Sequence, residues 1–174
     1  LGRVTKFEYG LTDITSTYPE RAINALGHKT DFVYDIGTGN LLSETKNAIT
    51  KSYQYDVFGR ITKEILPYDD SDFPTKKYEY SFDGIAPELL IIKQKTTSNK
   101  TLDTYFFYDG FGNLAQIKSP ADNGQQIVKN LFYDGLNRVS SEQNPFFYNS
   151  STNITIILND VLPSNKTKYN YDAL

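Results

Sequence analysis

Tyr53-Gln54-Tyr55-Asp56-Val57-Phe58-Gly59-Arg60-Ile61-Thr62 reads as a β-hairpin. Tyr53 and Tyr55 alternate with Gln54, which is the period of a strand. Asp56 stands at the first position of a type I turn, where a carboxylate accepts from backbone N–H groups ahead of it. Gly59 follows three residues later, where a positive φ is wanted. A type I turn closed by a left-handed residue is the usual three-residue hairpin loop with a bulge. That geometry places Asp56 opposite Arg60, Tyr55 opposite Ile61 and Tyr53 opposite Lys63.

The pattern recurs. Tyr105-Phe106-Phe107-Tyr108-Asp109-Gly110-Phe111-Gly112-Asn113-Leu114 repeats it, and so does Leu131-Phe132-Tyr133-Asp134-Gly135-Leu136-Asn137-Arg138-Val139-Ser140. In the second of these, Asn137 replaces the glycine, and Asn is the side chain that best tolerates the left-handed region. Tyr108 is expected to face Leu114, and Tyr133 to face Val139. A stretched copy, Phe32 to Leu41, has Gly39 one place late, so its loop should be one residue longer. A cross-strand aromatic–aliphatic pair contributes roughly 0.2–1 kcal/mol. Ordering backbone costs about 1–2 kcal/mol per residue. One hairpin cannot stand alone, and its aromatic face must be buried against the next copy, as in a repeat array.

The remaining chain fits around these turns. Asp35, Asp56, Asp109 and Asp134 mark four turns, near 35–40, 56–60, 109–113 and 134–138. A degenerate copy fills the double gap after Asp56. It runs from Lys77 to Gly84, with a turn near 81–84 and a return strand at Leu89-Leu90-Ile91-Ile92-Lys93. Between Ala22 and His28 either a short helical turn or a strand and loop is expected. Residues 144–167 exceed the period and read as an inserted hairpin or elaborated loop, with an apolar strand at Ile154 to Leu158. The chain opens on Leu1-Gly2-Arg3-Val4, the second half of a hairpin. It closes on Tyr171-Asp172-Ala173-Leu174, the first half of one. With no Met either, it is read as an internal section of a longer repeat protein. Its unpaired strand edges should make the isolated chain marginal or self-associating.

These copies resemble the YD repeat, Tyr-Asp-x-x-Gly-Arg-[Leu/Ile/Val]-Thr, of the Rhs and YD-repeat proteins. The match is fullest at Tyr55-Asp56-x-x-Gly59-Arg60-Ile61-Thr62. The family includes bacterial Rhs toxins, the B and C components of insecticidal Tc toxin complexes, and animal teneurins. The resemblance implies an all-β fold of tandem antiparallel hairpins in one curved, twisted sheet, part of a larger β-shell. It further implies a secreted or cell-surface bacterial protein whose shell encloses a C-terminal toxin segment of the same polypeptide. A toxin-complex subunit or a cell-surface glycan would be the outside partner. The family's self-cleaving segment has no match here, and no catalytic residue is carried over. The alternative reading is a cell-surface adhesion or carbohydrate-binding module that uses Phe146-Phe147-Tyr148.

Composition narrows the chemistry. The 174 residues carry a net charge of −3, with 14 Tyr, 11 Phe and no Cys, Met or Trp. The absence of Cys excludes a disulfide framework. With His28 as the only histidine, a zinc site and a Cys–His nucleophile pair are excluded as well. A serine triad would have to use His28, where no nucleophile-elbow pattern stands. Asp69, Asp70 and Asp72 sit in a proline-bounded loop without the glycine and distal Glu of a calcium loop. The glycine pairs Gly37/Gly39 and Gly110/Gly112 belong to turns, since no helix start follows them. Basic residues spread singly over an acidic chain argue against nucleic acid. No apolar run reaches the ~18 residues of a membrane span. The glycosylation-type triplets at Asn99, Asn149, Asn153 and Asn165 are no more than an Asn-, Ser- and Thr-rich chain yields by chance. The expectation is thus a non-enzymatic structural section, with no catalytic, cofactor or metal residue.

Overall fold

The computed structural model describes residues 4–149, 155–156 and 165–172. Among them there are fourteen strands and one short 3-10 turn, and their strand pairings are antiparallel. The chain divides into two compact units, 1–77 and 78–174. In the first, β1 (Lys6–Glu8), β2 (Arg21–Ile23), β3 (Lys29–Tyr34), β4 (Leu41–Lys46), β5 (Ile49–Tyr55) and β6 (Ile61–Ile65) pair in chain order. The first residues of β7 (Lys76–Ser81) then pair with β6, at Lys63↔Lys77 and Glu64↔Lys76. In the second unit β7 is followed by β8 (Glu88–Thr97), β9 (Lys100–Tyr108), β10 (Leu114–Pro120), β11 (Gln126–Tyr133) and β12 (Val139–Gln143), again in order. Beyond them, β13 (Phe146–Tyr148) pairs with the start of β11, and β14 (Lys166–Lys168) lies beside β12. The chain is all-β, built of consecutive hairpin-like strands.

The expected turn registers are present. Tyr55 opposes Ile61, Tyr108 opposes Leu114 and Tyr133 opposes Val139. The stretched loop is longer by one residue, with the Asp35 N–H bonded to the Asn40 carbonyl at 2.8 Å. One expected pair is wrong. Tyr53 lies opposite Glu64, not Lys63, because the register shifts between Gln54 and Tyr55 and leaves Thr62 as an extra residue on β6. The same shift leaves Leu42, Ala115 and Ser140 extra in the other copies. The bulge is therefore part of the repeat; such insertions increase local twist and re-aim side chains.

The return turns have other chemistries. Asn47 (φ 52°) and Ala48 (φ 61°) form a two-residue loop between β4 and β5, closed by Lys46↔Ile49. Two left-handed residues match the twist of the flanking strands. Around Ala22–His28 there is no helix: β2 ends at Ile23, and Asn24 opens a turn closed by Gly27 N–H to the Asn24 carbonyl at 2.9 Å.

Burial is uneven. Ladder parity puts Phe106, Tyr108, Ile117, Lys129, Leu131 and Tyr133 on one face of the second unit. Phe107, Gln116, Lys118, Val128, Asn130 and Gln143 lie on the other. The tyrosine face is half-buried, whereas the opposite face holds every fully covered side chain among the described residues. In the first unit only Glu20 and Pro74 are buried among the described residues. Glu20 draws the 9–19 connection down by accepting from the N–H groups of Thr12 (2.6 Å) and Asp13 (2.5 Å).

Candidate functional site

Three turns share one hydrogen-bond pattern. Asp56 Oδ1 accepts from the N–H groups of Phe58 (2.9 Å) and Arg60 (3.0 Å), while Oδ2 takes the Arg60 Nε at 2.6 Å. Asp134 does the same with Leu136, Arg138 and the Arg138 Nε, each at 2.9 Å. Asp109 holds Phe111 and Asn113 N–H at 2.9 Å, and Asn113 Nδ2 replaces the guanidinium at 3.1 Å. These bonds favour the charged carboxylate. The Arg138 N–H comes first in holding Asp134 below the usual range, against partial burial, with the Arg138 side chain and Leu136 N–H adding to it. At Asp56 and Asp109 partial burial pushes upward, and the same set of N–H donors outweighs it. Asn24 uses the pattern without a charge, accepting from Leu26 and His28 N–H at 2.9 and 3.0 Å. Sequence reading missed that turn, although Asn24-x-x-Gly27 carries the same spacing.

The tyrosines join each repeat to the one before it. Tyr55 Oη donates to the carbonyl of Leu41 (2.8 Å), the residue opposite Tyr34. Tyr133 Oη donates to Leu114 (3.1 Å), opposite Tyr108, and Tyr171 Oη donates to Val139 (2.8 Å), opposite Tyr133. Each accepting carbonyl lies beyond the last backbone pair of its strands, Ser43↔Ser52, Gln116↔Asn130 and Ser141↔Lys168. The ladder has run out there, and a phenol supplies the donor that a half-buried carbonyl needs. Neighbouring turns also touch directly: Asn113 Nδ2 donates to Asn137 Oδ1 at 2.6 Å.

The covered face of the second unit is polar. Gln116 Nε2 donates to Asn130 Oδ1 at 2.5 Å, and Asn130 Nδ2 to Gln143 Oε1 at 2.6 Å. The three side chains are 0%, 4% and 0% exposed, and so form an amide row across β10, β11 and β12. Beside them Lys118, also fully covered, donates to the Thr155 carbonyl and sits 5.3 Å from the centre of the Phe107 ring. Burial pushes its ammonium down to about 8. Sequence reading missed this face, since Gln, Asn and Lys in alternation read as the solvated side of a strand.

The other singled-out residues are placed as follows. His28 caps its own turn, its Nδ1 lying 3.3 Å from Asn24 Nδ2. In the 66–75 loop, Asp70 accepts from Asp72 and Phe73 N–H, and Asp69 from the Thr75 hydroxyl. Among the described residues no group of three His, Asp or Glu is placed to hold a metal ion, and no helix is long and apolar enough to cross a membrane. In β13, Phe147 is 67% exposed, while Phe146 and Tyr148 are half-buried. Where the chain leaves for residues 145–164, Asn144 N–H meets the Asn165 carbonyl at 3.1 Å. Of the expected apolar strand, Ile154, Ile157 and Leu158 lie outside the described residues. So do Leu1-Gly2-Arg3 and Ala173-Leu174 of the terminal half-repeats. No protein-family model matches the chain, and no curated protein matches it.

Proposed function

We propose that this chain is a section of a YD-repeat, Rhs-type β-shell that encloses and helps deliver a C-terminal toxin segment of the same secreted bacterial polypeptide. The observation that carries this reading is the link between repeats. A phenol from one Tyr-Asp turn closes the frayed ladder of the turn before it, three times over. Such a link is made only when repeats follow one another, and it builds a wall by local contacts alone. The section's work is mechanical, and its partners are further repeats and the enclosed segment. Limited proteolysis of the full-length polypeptide tests this. A C-terminal segment that survives in the native protein and is degraded once the repeats are denatured supports enclosure. Immediate cleavage of that segment counts against it.

A second reading has one observation of its own. Phe147 stands 67% exposed on a short strand, and an exposed aromatic ring is a stacking platform for a sugar. In that case the section serves adhesion or carbohydrate binding at a cell surface. A glycan array with no hits, or hits that survive Phe147→Ala, removes it.

A further inference from the structure

A hollow of about 510 Å³ lies beside the Asp109 turn, within the second unit. We infer that it binds a quaternary ammonium group. It is lined by Tyr80, Phe82 and Tyr108, together with Leu90, Glu88 and Asp109. The size suits a small organic ligand. Phe82 stands almost perpendicular to both tyrosines, 5.6 Å and 73° from Tyr80, 5.9 Å and 79° from Tyr108. Three aromatic rings with a negatively charged lining are the chemistry that holds alkylated ammonium ions.

Charge points the same way. In the turns at Asp56 and Asp134 an arginine neutralises the carboxylate, at 2.6 and 2.9 Å. At Asp109 the corresponding residue is Asn113, so that negative charge stays uncompensated by its own turn. Glu88 adds a second. Its Oε1 accepts from Gly84 N–H at 2.7 Å, while its Oε2 is buried with no hydrogen-bond partner among the described residues. The described residues that line the hollow include no Lys, Arg or His. Two carboxylates near three aromatic rings select a cation, and the rings favour a weakly hydrated one with methyl groups over a compact ammonium. Access comes from the rim: a side chain added at Gly84 or Gly112 would meet nothing within 4 Å. The degenerate repeat is what makes room. Its connection, residues 82–87, is longer than the tight Tyr-Asp loop.

Choline and its neutral tert-butyl isostere are the probes. Titration of the chain, followed by NMR of the tyrosine and phenylalanine ring protons, should show choline binding at least about tenfold tighter than the isostere. Phe82→Leu should weaken choline about tenfold. Asn113→Arg, which installs the residue of the sister turns and should leave the fold intact, should weaken it as well. Phosphatidylcholine vesicles then identify the source. Co-sedimentation competed by choline supports a lipid headgroup, and choline binding without sedimentation supports a soluble ligand. Equal affinity for the neutral isostere, no saturable shift with choline, or an affinity unmoved by Asn113→Arg overturns the inference.

Discussion

Gly59 and Asn137 hold the same place in two turns, at φ +77° and +63°. An L side chain there is strained unless it is Asn or Asp. Asn137 also accepts from Asn113, so its side chain earns a bond as well as tolerating the angle. A Cβ added at Gly59 would meet Asn40 Oδ1 at 3.8 Å, an ordinary contact. Gly59→Asn should therefore change stability by no more than about 0.5 kcal/mol. Gly59→Val should cost about 1–3 kcal/mol. Urea melts of both variants decide this, and equal losses would show that φ is not the constraint. Lys118 illustrates the opposite situation, a charge held where burial disfavours it. Its folded value of about 8 lies below the ordinary ~10.4 of an unfolded chain. Between those values the unfolded state binds more protons, so stability rises with pH there and is lowest below about 8. Relative to Lys118→Met, the native protein should gain about 2 kcal/mol between neutral pH and about pH 9.5. Tyrosine ionisation is common to both proteins and cancels in the difference. Parallel slopes in paired denaturation curves would mean that the ammonium is not desolvated.

Strand pairs carry the repeat logic, and the Tyr133 phenol isolates one link of it. Tyr133→Phe keeps the ring against its face and deletes only the bond to the Leu114 carbonyl. The carbonyl is then left half-buried beyond the end of its ladder. The expected loss is about 1 kcal/mol by chemical denaturation, within the usual 0.5–1.5. A variant as stable as the native chain would show that the ladder's end is satisfied by water. At this scale the turns were legible and the spaces between them were not. Asp56, Asp109 and Asp134 announce themselves because a carboxylate followed by a left-handed residue has few other uses. The place of the bulge, at Thr62, leaves no sequence mark, since any residue can be the extra one, and it alone moved Tyr53 from Lys63 to Glu64. Asn47-Ala48 was missed because Ala is a poor advertisement for a positive φ. The amide row was hidden for a different reason. Gln116, Asn130 and Gln143 are buried by being paired across strands, and pairing partners so distant in sequence cannot be read from a period of two.

Among the described residues, the fully buried apolar side chains, Phe107 and Val128, both lie in the second unit. In the first unit, polar cross-strand contacts such as Tyr53–Glu44 and Lys51–Glu64 take that place. Exposed or half-exposed ion pairs contribute little, at most about 1 kcal/mol each. The outermost described strands, β1 and β14, are three residues long and carry Lys6, Glu8, Lys166 and Lys168. Short charged edges resist edge-to-edge pairing. Any self-association of the chain should therefore strengthen as salt screens the lysines, which sedimentation velocity at low and high ionic strength measures. Association that weakens with salt would point to ion pairs between copies instead. The difference in burial sets the local stability of each unit, because amides exchange through openings whose cost follows the buried contacts broken. Backbone amides of β9, β10 and β11 should exchange with deuterium at least about tenfold more slowly than those of β3, β4 and β5. The amide row belongs to this comparison. Asn130→Leu removes one bond from Gln116 and one from Gln143 inside a covered face, where lost polar partners cost most. It should therefore speed exchange in β10 to β12 while leaving β3 to β5 unchanged. Equal protection in both units, or a response to Asn130→Leu spread evenly over the chain, would mean that the ladder itself holds the strands and that the covered face adds nothing.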